Sequence, residues 1–113
     1  MCFFRKKLSN KEKILKSRED TNKNTQTIEI LLVMAEDNEA MRQELLKLQD
    51  TLKYLTPSSA DEVKKIDEKI SHNLDDLKIE LSKGDKEKAL AKAESTIKDI
   101  KLLLAQRKVY TNK

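Results

Sequence analysis

His72 is the only histidine of the chain, and acid pairs such as Asp61-Glu62, Asp67-Glu68 and Asp75-Asp76 are the other groups with obvious chemistry to offer. An imidazole can ligate a metal or carry a proton, and paired carboxylates can divide acid and base duties or hold a cation. A metal site needs several ligands converging, and the spacing supplies none around His72. It stands two residues from Ile70 and two from Leu74, off the stripe that those residues share on a helix. The acid pairs fall among lysines on expected helix exteriors, with no loop resembling a calcium cradle, and read as a solvated face. No nucleophile has a base at an inferable distance. No glycine-rich loop is available to cradle a phosphate, because Gly84 is the sole glycine. The expectation is a non-enzymatic chain with no catalytic residue, no cofactor and no metal.

What the sequence does carry is periodicity. Leu31, Met34, Asn38, Met41, Leu45, Leu48, Leu52 and Leu55 stand at alternating steps of three and four, the spacing of a heptad seam. The first helix is expected over about 27–55, roughly 40 Å long. Thr56-Pro57 stops it, since proline lacks an N–H and disfavours helix at the residue before it. Ser59-Ala60-Asp61-Glu62 reads as a capping box opening a second helix over about 60–82, with the stripe Val63, Ile66, Ile70, Leu74, Leu77 and Leu81. Gly84 ends it, and Asp85 caps a third helix over about 86–110. That helix carries Ala89, Leu90, Ala93, Ile97, Ile100 and Leu104, with Arg107 and Lys108 suited to its C-terminal dipole.

Composition agrees with helices. Charged residues make up 39% of the 113, aromatics only 4%, and the single proline and single glycine leave little from which to build strands and tight turns. Up to Thr27 there are eight basic and three acidic residues. From Ile28 to Leu55 there are three and six, and from Thr56 onward thirteen and eleven. The basic excess therefore belongs to the leader. Its run from Lys16 to Gln26 has no apolar residue and is expected to be mobile, although Ser9 and Glu12 could start a short helix through Leu15. Lysine outnumbers arginine by 20 to 4, which disfavours bidentate phosphate or base recognition. Cys2 is the only cysteine, no apolar stretch approaches the roughly twenty residues of a membrane span, and no secretory signal is visible. These point to the cytoplasm.

The expected fold is all-α. It is either an antiparallel three-helix bundle, or a helical hairpin plus a long coiled-coil-like first helix that pairs with another copy of itself. A basic, largely flexible leader over 1–26 precedes the helical part over 27–113. The segment Gly84-Asp85-Lys86-Glu87-Lys88-Ala89-Leu90-Ala91-Lys92-Ala93 resembles the turn and second helix of a tetratricopeptide repeat. Lys86 stands where that family has an aromatic, and the ten residues occur once, so the resemblance is to a helix hairpin in general.

Three interaction readings follow. Ile28, Leu32, Ala35 and Leu46 lie off the main stripe of the first helix, and Ile28 to Ala35 is apolar nearly all round. With Asn38, whose a-type seam position would fix register, they form a candidate surface for a protein partner or a homodimer. Phe3 and Phe4 followed by Arg5, Lys6 and Lys7 could rest on an anionic membrane, at the inner face of which the protein would then sit. Weak non-specific nucleic-acid binding comes third, because the helices alternate charge and offer no stacking aromatics.

Overall fold

The computed structural model describes residues 9–111, the Asn10 side chain excepted. Ser9 opens the first helix as expected, its hydroxyl accepting from the Glu12 N–H at 3.2 Å. The helix then continues far beyond Leu15: α1 spans Asn10–Met34. The expected flexibility of the leader is thus overturned from Asn10 to Gln26, and the expected boundary at residue 26 falls inside a continuous helix. The reason lies in the spacing of its small polar residues. Ser17, Thr21, Asn24, Ile28, Leu31 and Ala35 follow steps of four and three, and all six are buried. The stripe is a heptad seam whose first half happens to be polar. Its hydroxyls are satisfied locally, Thr21 donating to the Ser17 carbonyl at 3.0 Å and Thr27, on the flank of the stripe, to that of Lys23 at 3.1 Å. Such groups can enter a core without an orphaned donor.

The expected single helix over 27–55 is two. After α1 the chain turns through Ala35–Asn38, and α2 runs Glu39–Lys53. Ala35 is the last residue to pack inward. Glu36 and Asp37 then place two negative charges at a helix C-terminus, where the dipole opposes them. Asn38 takes an extended backbone (φ −120°, ψ 96°) and its side-chain oxygen accepts from the Met41 N–H at 3.0 Å. It is the N-cap of α2, not a seam residue. The apolar stripe nonetheless stays buried on both sides of the break, folded back upon itself. Gln49 of α2 donates to the Thr25 carbonyl of α1 at 3.2 Å, which makes the two helices antiparallel.

Pro57 ends the path out of α2, and α3 spans Asp61–Ser82. Its N-cap is Ala60 and no side chain caps it, so the capping box expected from Ser59 does not form. Ser58 is used instead, accepting from the Ala60 N–H at 3.1 Å while its own N–H donates to Ser17 on α1 at 3.2 Å. Gly84 adopts φ +82° in the turn that follows, and Asp85 accepts from the Lys88 N–H at 3.2 Å to start α4, Lys86–Thr111.

Four helices, rather than three, therefore enclose the core, and no strand occurs among the described residues. α1 packs on α2 and α3, while α4 packs on α3 and α2, leaving α1–α4 and α2–α3 as diagonals. α1 and α3 run parallel: Lys13 reaches Asp61 at one end, and Met34 and Leu81 border the same hollow at the other. The core is built from Ile28 and Leu31, Leu45 and Leu52, Ile70, Leu74 and Leu77, and Ile97 and Ile100, with contributions from all four helices. An extent of only 18 Å along the shortest axis corresponds to two layers of helices at a spacing of about 8–10 Å.

Candidate interaction surfaces

The groups singled out for chemistry take separate places. His72 is exposed and pairs with Asp76 one turn later at 3.4 Å. Asp61 sits at the start of α3 opposite Lys13 at 3.6 Å, and Glu62, Glu68 and Asp75 are exposed. Asp67 departs from the solvated face expected of it. Its carboxylate receives Arg107 in a two-pronged contact, Nε to Oδ1 at 2.8 Å and Nη2 to Oδ2 at 3.3 Å, with the side chains 3% and 2% exposed. Burial pushes the Asp67 carboxyl above its ordinary value. The Arg107 hydrogen bond and charge oppose that shift, and the neighbouring Asp20 charge adds to it. The signal for this pair was present: Ala93, Ile100 and Arg107 are spaced by sevens, so Arg107 continues the buried stripe of α4. The pair is structural in kind, since it is sealed from solvent and its hydrogen bonds are mutual. Among the described residues, no three His, Cys, Asp or Glu side chains converge on a point that could hold a metal ion.

The surface expected on the first helix is largely internal. Ile28 and Ala35 belong to the core, Leu32 is half-buried against it, and Asn38 is half-buried as a cap. Leu46 alone is substantially open, at 40%. Within Ile28–Ala35 the exposed apolar residues are Ile30, Val33 and Met34, of which Val33 is 69% accessible; Ile14 and Leu15 are exposed nearer the start of α1. The all-round apolar character of Ile28–Ala35 was the signal; the phase of the stripe, fixed by Ser17 and Thr21 far upstream, decides which side faces out. Phe3, Phe4, Arg5, Lys6 and Lys7 lie outside the described residues. No helix among the described residues is long and apolar enough to cross a membrane.

Between α2 and α4 the packing is thinnest. These helices run parallel, and small residues at Ala40, Ala93 and Ala105 leave the space between them unfilled. Two adjoining hollows result. One, of about 260 Å³, is floored by Met41, Ala93 and Ile97 and bordered by Leu90. The other, of about 320 Å³, is floored by Leu48 and Leu104. The Lys101–Glu44 ion pair at 3.3 Å crosses the groove between them, and Lys47 reaches the same glutamate at 3.8 Å. The rim carries Lys47, Lys98, Lys101 and Lys108 against Glu44 and Glu94, four cations to two anions. Lys98 and Lys108 have no ion pair among the described residues. The stripes of α2 and α4 do not mark this groove: of its three alanines only Ala93 is buried, and Ala40 and Ala105 are exposed.

Comparison with protein-family models, curated proteins and solved structures gives no match.

Proposed function

We propose that this chain is a non-enzymatic protein–protein interaction module, an adaptor, regulator or assembly subunit, and that it receives a partner helix in the α2–α4 groove. The observation that carries this reading is the groove itself. It has an apolar floor, a charged rim, and a length set by the 15 residues of α2, about 22 Å or four helical turns. Amphipathic helices dock into grooves of this kind by seating apolar side chains at i, i+3, i+4 and i+7 on the floor. Leu90, exposed at the border, is placed to meet such a side chain. The proposal moves the contact from Ile28, Leu32, Ala35, Asn38 and Leu46 to the α2–α4 groove, in a protein working in the cytoplasm.

A photo-crosslinking amino acid at Leu90, introduced in cells, tests it. A discrete protein adduct is expected there and none from the same group at Ile79, which is exposed on α3. Equal yields at the two positions, or no adduct at Leu90, would refute the groove as a docking site.

A further inference from the structure

We infer that the occupant of the groove is α1 of a second copy of this chain; the inference rests on the groove being a docking site. The plug is the outward face of α1 near its C-terminal end. Ile30, Val33 and Met34 are exposed together at steps of three and one, on the side of the helix away from the core stripe Ile28, Leu31, Ala35. An apolar face of this kind, on a helix already packed on two neighbours, has no partner among the described residues of its own chain. α1 lies diagonally across the core from α4, and this face is turned away from the core, so it cannot reach its own groove.

Charge supplies the complement. Between Lys23 and Arg42 the sequence has no basic residue, and it has Glu29, Glu36, Asp37 and Glu39. Glu29 on α1, with Glu36 and Asp37 in the turn that follows it, makes the C-terminal end of the plug net acidic, whereas the groove is rimmed by four lysines and two glutamates. Glu29 and Glu36 on one side, and Lys98 and Lys108 on the other, are exposed groups with no ion pair among the described residues. Asp37 is already 3.8 Å from Lys86 of its own chain and contributes less. Like charges facing across a contact are strongly disfavoured, so opposite nets on plug and groove select this pairing over groove-to-groove or plug-to-plug contact. Each copy offers one plug and one groove, so two copies that exchange both contacts close into a twofold dimer, and copies that pass one contact on grow into a ring or an open chain.

Sedimentation velocity of the full chain over rising concentration tests the inference, with circular dichroism confirming that each variant keeps its helix. The wild type is expected to associate progressively. K98E with K108E, which spoils the groove, and E29K with E36K, which spoils the plug, are each expected to weaken association at least about tenfold. Mixing K98E/K108E with V33D is decisive: the intact plug of the first meets the intact groove of the second, the acidic plug of the second is repelled by the acidic groove of the first, and assembly stops at a one-to-one dimer. V33D is expected to behave like the plug variant. A wild type that stays monomeric throughout, or a mixture that forms nothing, overturns the inference. If the chain is monomeric while the Leu90 crosslinker captures a different protein, the groove reading survives and only the identity of its occupant fails.

Discussion

The two halves of α1 obey one spacing and hold together by different forces. From Ile28 to Ala35 the inward stripe is aliphatic and meets Leu45, Leu48 and Leu74 in the main core. From Ser17 to Asn24 the same stripe is hydroxyl and amide, and the nearby interior contains the Asp67–Arg107 pair. Burial tracks position on the helix rather than greasiness of the residue. The apolar half is stabilised by area removed from water, which tolerates small shifts. The polar half depends on directed bonds, each of which leaves a costly orphan when broken. The second kind of interior fixes geometry more narrowly, and it already holds one imperfection: the Asn24 side-chain oxygen, in a residue only 2% exposed, has no hydrogen-bond partner among the described residues.

The contrast is broken most severely at Arg107. Arg107→Ala leaves Asp67 buried and unpaired, and urea denaturation should show a loss of about 3–5 kcal/mol. Replacing both partners with apolar residues, Asp67→Leu with Arg107→Met, should recover most of that loss; if the double variant is as unstable as the single one, the pair is not an isolated clasp. In the apolar half Leu45→Ala should cost about 3 kcal/mol through its cavity, with no rescue available from a charge partner. The two asparagines sharpen the comparison at about 1 kcal/mol and with opposite signs. Asn24→Leu should stabilise, by removing an unsatisfied buried amide. Asn38→Leu should destabilise, by removing the cap of α2. Two shifts of the same sign in thermal melts would contradict these assignments.

The smallest effect is in pH. The Asp67 carboxyl has a folded-state value raised above its unfolded one. Its contribution to stability is therefore fully present below the ordinary carboxylate range and is lost as pH rises through the raised value. Subtracting the stability profile of Asp67→Asn from that of the wild type should show a decline across that window. A difference that instead grows with rising pH would show that Arg107 outweighs burial.

Much of the architecture could be read from the residues. Although α2 ends at Lys53, ahead of the stop expected at Thr56-Pro57, the stripe of α3, the stripe of α4 apart from the exposed Leu90, the turn at Gly84 and the cap at Asp85 each have a local cause, and local causes leave marks in sequence. Two things did not. The seam over Ser17–Asn24 was hidden because polar residues at core spacing look like a solvated run until a neighbouring helix covers them. The break at Ala35–Asn38 was hidden because Leu31, Met34, Asn38 and Met41 keep a three-four rhythm across it, although Met34 is exposed and Asn38 is a cap. The buried asparagine on the stripe is Asn24, and Asn38 is a cap. The groove was out of reach for a related reason, since it is defined by what alanines at 40, 93 and 105 fail to fill.

Arg107 and Asp67 are separated by 40 residues, and this gives the order of synthesis a physical meaning. A nascent chain that has emerged past Leu104 but not past Arg107 already owns every aliphatic side chain of the interior, yet its α3 must either keep a carboxylate in water or bury it alone. Burying that face of α3 costs less once the last turns of α4 bring the guanidinium to it, so the closing residue of the interior is an ionic one.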